Sequence, residues 1–283
     1  ARPMRWVLAL VAGTGLLAAE GYAFPVDTVR WYRADWSQDV TFSSLADELT
    51  YRHALSWRFA LRTQSVDDGV ATVRATITRI TATASGPGID RRFDTSAEGA
   101  RSDPLFGHLG ALAGATLDLE VVQADGTVRA IGGIDALRQR LEAAAPAIRP
   151  GQPSPLADEI ARTYGEEALR AWWGGLLALP GSQAGLPLGN LPEAVQRTWD
   201  GSRFVLALPA GTSPEVVLAG DPTPVRARLV ALSGGGEVIT ADGMPGAVRG
   251  EATATFDLIA LTQSVQQVHR LTWSLAVLAQ DEK

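Results

Sequence analysis

The side chains best suited to chemistry are few in this sequence and lie far apart. The three histidines, His53, His108 and His269, include no pair at the i, i+4 spacing of a helical zinc site. We expect His53 and His269 on strands and His108 in a loop, each in an ordinary structural setting. The chain has no cysteine, which excludes thiol catalysis, disulfides and Cys-ligated metals. The sequence therefore predicts no metal site and no cofactor.

The serine and glycine motifs of common enzymes are also missing. A serine hydrolase would carry GxSxG, whereas Ser182 and Ser233 only stand in glycine-rich surroundings. The run Gly234–Gly236 has neither the lysine nor the following helix of a phosphate-binding loop. We interpret this run as a hairpin loop.

Two carboxylates leave one catalytic alternative open. Asp94 and Asp257 each follow a phenylalanine in a predicted strand, and glycoside hydrolysis uses two such groups across the scissile bond. They would approach each other only if the two β-rich parts of the chain pair, and exposed strand ends are the simpler interpretation. We therefore predict no catalytic residue and a protein that is not an enzyme. The alternative is a hydrolase with an unrecognised acidic site.

Tryptophan is unusually frequent, with eight residues against four tyrosines. Core packing is one explanation. The other is an open apolar trough, in which a curved sheet is covered by helices and a hydrophobic ligand lies between them. On that hypothesis the ligand-binding residues are Trp57, Phe59, Trp172, Trp173 and Trp273, with Trp172 and Trp173 forming part of a helical lid.

Runs of alternating apolar and polar residues dominate the chain. Such alternation is typical of strands with one packed and one wet face, and Asp-Gly pairs suited to tight turns separate several of them. We predict a β-dominated α+β fold: a curved, largely antiparallel sheet, or half-barrel halves, with a central helical insertion. The clearest stripes are Trp57–Leu61, Val73–Ile77, Leu117–Val121, Phe204–Leu208, Val225–Leu229 and Leu271–Val277.

The middle of the chain has helical periodicity. Residues 134–145 place Leu137 and Leu141 on one face, and residues 155–179 predict one broken helix or two short ones with an apolar face around Trp172 and Trp173. Proline- and glycine-rich linkers flank the second segment. The sequence thus divides into four parts: residues 1–23, a β-rich half (24–133), a helical insertion with its linkers (134–192) and a second β-rich half (193–283).

The N-terminus has the parts of a secretory signal. Arg2 and Arg5 precede an uncharged run, Trp6–Ala19, and Gly21 and Ala23 provide small residues for cleavage before Phe24. A membrane span needs about 20 apolar residues, so we expect cleavage and a mature chain that does not span the membrane. An uncleaved anchor or a buried helix is the alternative. The predicted location is the periplasm or the extracellular space.

A set of short motifs resembles an uncharacterised family of exported bacterial β-rich proteins, a domain of unknown function, over roughly residues 45–280. The resemblance implies export and a β-rich fold, and it implies no particular chemistry. The segments that carry it are Val73–Ile80, Arg91–Thr95, Leu112–Leu117, Leu119–Leu137, Arg197–Leu208 and Gly250–Leu261.

Together these observations predict a non-enzymatic envelope protein that binds a lipid, a hydrophobic small molecule or a protein partner of the envelope. The net charge of −6 argues against nucleic acid as the partner. A structural or interaction module with a filled core and no ligand is the second hypothesis, and the hydrolase is the third.

Overall fold

One large antiparallel sheet forms the framework of the computed structural model. The structure describes residues 21–44, 47–100, 103, 106–144, 164–177, 192, 194–199, 203–218, 225–259 and 265–279. The strands of the first half are β1 (Val29–Ser43), β2 (Glu48–Asp67), β3 (Val70–Gly86), β4 (Ile89–Asp94), β5 (Thr116–Val122) and β6 (Val128–Gly132). Those of the second half are β7 (Gln196–Trp199), β8 (Arg203–Ala207), β9 (Glu215–Leu218), β10 (Val225–Ala241), β11 (Met244–Leu258) and β12 (Gln266–Val277).

The two halves join through the first and the last strand. The order across the sheet is β6-β5-β3-β2-β1-β12-β11-β10-β8-β7, with β4 paired to β3 and β9 to β10. Most strands pair with the next strand in sequence, but β5 pairs with β3 rather than β4, and β8 pairs with β10 rather than β9. β1 pairs with β12 over twelve residues from Tyr32 to Ser43. The β-dominated α+β fold with a large antiparallel sheet is therefore confirmed.

Three helices are described between the strands. They are α1 (Gly107–Leu112), α2 (Ile134–Ala144) and α3 (Glu166–Leu177). The helix predicted over residues 134–145 is α2, and the described part of the second helical segment is α3. The rest of that segment and nearly all of both linkers lie outside the described residues. His108 was expected in a loop and lies instead in the single helical turn and a half of α1.

Turn chemistry fixes three hairpins. Asp68 and Gly69 connect β2 to β3, and Asp242 and Gly243 connect β10 to β11, all four with positive φ. Gly126 likewise has a φ of 71° between β5 and β6. Asp and Gly tolerate this conformation better than other residues, which is why these hairpins could be predicted. The fourth Asp-Gly pair, at residues 200–201, lies outside the described residues.

The glycine run in the second half corrects an expectation. Gly234–Gly236 was interpreted as a hairpin loop, but all three residues belong to the interior of β10 and pair with both β8 and β11. Glycine normally weakens a strand, so sequence alone favoured a loop. A Cβ atom at any of the three would lie within 3 Å of an atom of the paired strands, and at Gly236 it would also meet the Phe204 ring, which explains why these positions are glycine.

The residues just before β1 are built into the fold. The Tyr22 N–H donates to the Gln123 carbonyl at 2.7 Å, and the Ala23 N–H donates to the Gly243 carbonyl at 2.6 Å. The rings of Tyr22 and Phe24 are buried and meet edge to face at 5.3 Å. Cleavage before Phe24 would remove a side chain that fills the core. Export and its cleavage position stay predictions.

Candidate functional site

A cavity of about 750 Å³ opens on the sheet where the two halves meet. It is lined by three consecutive residues from each of seven strands, namely β3, β2, β1, β12, β11, β10 and β8. We call this cavity the trough. Every lining residue belongs to a strand, so the shape of the trough depends on the register of the sheet.

The central residue of each triplet belongs to one continuous row. Directly opposed residues in an antiparallel sheet share a face, and the register pairs every member of the row with the next. All of the row's side chains are uncharged, and the lining is predominantly apolar. In order across the sheet the row is Ala82, Leu55, Trp36, Trp273, Gly250, Gly236 and Phe204.

Two aromatic rings lie over the glycines of this row. A Cβ atom at Gly250 would overlap the indole ring of Trp273, and one at Gly236 would lie 2.6 Å from Cζ of Phe204. The two rings stack on each other with centroids 6.1 Å apart and planes inclined by 24°. Bare glycine backbone in β10 and β11 thus lets rings from β8 and β12 spread across the sheet.

Every charged residue of the lining is a flanking residue of its triplet; these are Asp35, Arg203, Glu237, Arg249 and Glu251. Successive side chains of a strand point to opposite faces, so Arg249 and Glu251 in β11 point away from the face that carries Trp273. Both are exposed. Charged groups of both signs therefore lie on the outer face of the sheet, and the apolar row on the opposite face carries no charge.

A polar chain crosses the same face two rows beyond Trp273. The Gln38 amide Nε2 lies 3.1 Å from His269 Nδ1, and His269 Nε2 lies 3.0 Å from Gln267 Oε1. The amide nitrogen can only donate, so Nδ1 accepts and Nε2–H donates to the Gln267 oxygen. Burial lowers the pKa of His269, which favours this neutral tautomer. These three polar side chains thus form hydrogen bonds to one another at the edge of the apolar row.

Four of the five predicted ligand-binding residues come together in the core, beside the trough and outside its lining. Trp57 packs on Trp172 with ring centroids 4.6 Å apart, and Phe59 meets Trp173 edge to face at 5.0 Å. These contacts dock α3 on β2. Only Trp273 among the five lines the trough. The binding role assigned to all five stays a prediction.

Sequence reasoning missed the other lining residues. Trp36 and Phe204 both lie on predicted strands. Their position beside Trp273 depends on strand pairing between distant parts of the chain, since Trp36 pairs with Trp273, 237 positions later. The glycines gave a misleading signal. A glycine within an otherwise β-patterned run marks a close approach of another group, and that was the available clue.

The carboxylates of the hydrolase alternative each have their own partner. Asp94 accepts hydrogen bonds from two of the guanidinium nitrogens of Arg79, Nε and Nη2, and this contact holds the pKa of Asp94 well below its usual range. Asp257 accepts from the Gln266 amide at 3.2 Å. They belong to β4 and β11, which are not neighbours in the sheet.

Within the described ranges, no three His, Asp or Glu side chains are grouped as a metal site would require. Over the same ranges, none of the helices has the length and apolar character needed to cross a membrane.

Comparison with known proteins gives only distant similarities. No family model matches the chain, and no curated protein does. A lipovitellin structure concerned with lipid–protein interactions is 10% identical over 90% of this chain, with a TM-score of 0.35. The chain spans 25% of the length of that lipovitellin chain.

Two further structures resemble the chain less. DynF from the dynemicin biosynthesis pathway of Micromonospora chersina is 9% identical, with a TM-score of 0.25 and coverage of 100% of this chain and 96% of its own. An outer membrane channel from Pseudomonas putida F1 is 9% identical, with a TM-score of 0.24 and coverage of 92% and 98%. The chain thus has a distant resemblance to β-sheet proteins, one of them lipid-binding, and scores this low carry no argument about its ligand.

Proposed function

We propose that this protein binds a hydrophobic ligand, of the kind represented by a lipid acyl chain, in the trough and performs no reaction on it. The observation that carries the proposal is the uncharged row from Ala82 to Phe204, which runs unbroken across seven strands and lines a cavity of about 750 Å³. Small-molecule sites typically enclose about 300–1,000 Å³ and are mainly apolar with few polar groups. The trough agrees with both criteria.

The shape of the trough favours a chain-like ligand. Neighbouring strands are about 4.8 Å apart, so six intervals give a row about 29 Å long, while its width is only three residues of each strand. Burying one methylene group contributes about 0.8 kcal/mol. Ten buried methylenes would therefore contribute about 8 kcal/mol before the cost of association is subtracted.

The two alternatives receive less support. A structural module with a filled core would leave no cavity on the buried face of its sheet, whereas the trough occupies that face. The hydrolase hypothesis requires Asp94 and Asp257 to approach each other, whereas they belong to strands that are not neighbours and Asp94 is engaged by Arg79. A non-enzymatic role therefore remains part of the proposal, as does export directed by the N-terminal segment.

The experiment is a binding titration with parinaric acid, a fluorescent fatty acid, supported by native mass spectrometry of the protein as purified. Leu55→Trp is the test variant because Leu55 is half-buried and lines the trough, so a larger ring would fill it. We expect at least a tenfold loss of affinity, which corresponds to about 1.4 kcal/mol.

The matched control is Val217→Trp. Val217 is 68% exposed on β9 and does not line the trough, so the same increase in size should leave binding unchanged. Circular dichroism spectra of both variants test whether they remain folded. If wild-type protein binds no parinaric acid, or if Leu55→Trp binds it as tightly as wild type, the proposal is wrong.

A further inference from the structure

Residues 22–24, a few positions before β1, connect the two halves of the sheet by contacts other than the pairing of β1 with β12. The Tyr22 N–H donates to the carbonyl of Gln123, directly after β5, and the Gln123 side-chain amide donates back to the Ala23 carbonyl at 2.5 Å. The Ala23 N–H donates at 2.6 Å to the carbonyl of Gly243, in the turn between β10 and β11. We call residues 22–24 the clasp, because they hold one hairpin of each half.

The clasp joins parts of the sheet that lie far apart in the order of strands. β5 and β11 are separated by five strand spacings, which would be about 24 Å in a flat sheet. Tyr22 and Ala23 nevertheless reach both hairpins, although the Cα atoms of consecutive residues are only about 3.8 Å apart. The sheet therefore curves strongly at this end, and the clasp bridges the curve.

The two hairpins have room for the clasp because glycines face it. A Cβ atom at Gly126 would lie 2.6 Å from Cε2 of the Tyr22 ring, and one at Gly243 would lie 2.5 Å from Cβ of Ala23. The side chains of Tyr22 and Phe24 are 2% and 0% exposed. The clasp thus fills space that the rest of the fold leaves for it, so we expect all three residues to belong to the mature protein.

This packing distinguishes two positions at which an exported precursor could be cleaved. Signal cleavage favours small residues at the third and first positions before the cut. Gly21 and Ala23 meet this requirement for a cut before Phe24. Ala19 and Gly21 meet it for a cut before Tyr22. The first cut removes Tyr22 and Ala23 and with them the three hydrogen bonds described above, whereas the second cut retains the whole clasp.

We propose that the precursor is cleaved between Gly21 and Tyr22, so that Tyr22 is the first residue of the mature protein. An endopeptidase of the export apparatus adds water across this one peptide bond during export, before Tyr22 is buried. Gly21 gains a carboxylate, and the Tyr22 nitrogen becomes an ammonium group that still donates to the Gln123 carbonyl, in a bond that the charge strengthens. The inference rests on the export that forms part of the proposed function, and the cut differs by two residues from the one expected before Phe24.

The first test is the N-terminal sequence and intact mass of the protein produced from the full chain in a Gram-negative bacterial host and purified from the periplasm through a C-terminal tag. We expect a chain that begins at Tyr22. Ala19→Phe removes a small residue needed for this cut and should abolish the Tyr22 terminus. Ala23→Phe is the matched control, because it affects only the cut before Phe24 and should leave Tyr22 as the first residue.

The possible results separate the inference from export itself. A periplasmic chain that begins at Phe24, or at any residue other than Tyr22, overturns the inference and leaves export in place. A full-length precursor that stays in the cytoplasm overturns export, and the inference fails with it. Neither result depends on ligand binding in the trough.

The second test measures whether the clasp stabilises the fold, independently of export. Chains of residues 22–283 and 24–283 are released from a fusion partner by a protease that leaves no extra residue, and thermal unfolding is followed by circular dichroism. Because a buried ring and three hydrogen bonds are lost, we expect the shorter chain to unfold at least about 5 °C lower. Tyr22→Phe in the longer chain keeps the ring and the backbone bonds, so its midpoint should stay within about 2 °C of the unsubstituted chain. Equal midpoints for the two chains would overturn the role given to the clasp.

Discussion

Replacing Gly250 by alanine should destabilise the protein, although strand propensity alone predicts the opposite. Gly250 lies in the interior of β11 with an ordinary extended conformation, and no positive φ is found there. Alanine in a strand interior is favoured over glycine by about 0.5–1 kcal/mol because it loses less backbone entropy. The added methyl group would, however, occupy the space of the Trp273 indole ring.

The size of the effect follows from that overlap. The ring is almost fully buried and stacks on Phe204, so a methyl group beneath it would push it toward the trough and out of that packing. Inserting a methyl group into a well-packed site costs about 1–3 kcal/mol. After the gain in backbone entropy is subtracted from the middle of that range, we expect a net loss of about 1 kcal/mol in the free energy of unfolding.

Urea denaturation followed by circular dichroism measures this loss directly. Gly132→Ala is the matched control, because a Cβ atom there would meet Asp118 Cβ at an ordinary 3.5 Å near the end of β6. It should be neutral or slightly stabilising. In a Trp273→Ala background the Gly250→Ala change should lose its cost, since the ring is gone. If Gly250→Ala is as stable as wild type while Trp273 is present, the account of the glycine floor is refuted.

Two further predictions concern polar side chains. Tyr22→Phe removes a buried hydroxyl that has no partner among the described residues, so it should leave the free energy of unfolding unchanged or raise it by up to about 1 kcal/mol. Tyr32→Phe removes the 2.9 Å hydrogen bond that the Tyr32 hydroxyl donates to the Pro245 carbonyl, so it should lower the free energy of unfolding by about 1 kcal/mol. Urea midpoints that shift in the same direction for both would contradict this. Because Arg79 lowers the pKa of Asp94, the pair stabilises the protein at neutral pH and loses its contribution as the pH falls below about 4. The small stability difference between wild type and Asp94→Asn should therefore shrink as the pH is lowered from about 5 to about 2, and a constant difference over that range would disprove the assignment.

Much of the local structure was predictable because its causes are local. Alternation identified the strands that carry Trp57, Phe204 and Trp273, and the tolerance of Asp and Gly for positive φ located the turns at Asp68 and Asp242. The site was much less predictable. Of the residues that line the trough, the predicted ligand-binding set included only Trp273. The other four predicted residues belong to the aromatic cluster that docks α3 on β2.

The glycines of β10 show why. Whether Gly236 belongs to a loop or a strand depends on which ring lies above it, and Phe204, which occupies that space, is 32 positions away in sequence and is brought there by strand pairing. A period of two identifies the face of a side chain. It does not identify the residue opposite, because register is set by pairing across the whole sheet.

The sequence by itself determined most of the strands, the β-dominated class and the polarity of the two faces, since these follow from neighbours a few residues apart. Only the tertiary structure decided that β1 and β12 are adjacent and that one uncharged row crosses seven strands. It also decided that Trp172 and Trp173 fill the core while Trp273 lines the cavity. These features depend on contacts between residues far apart in the chain, and nothing in the local pattern of a strand specifies its partner.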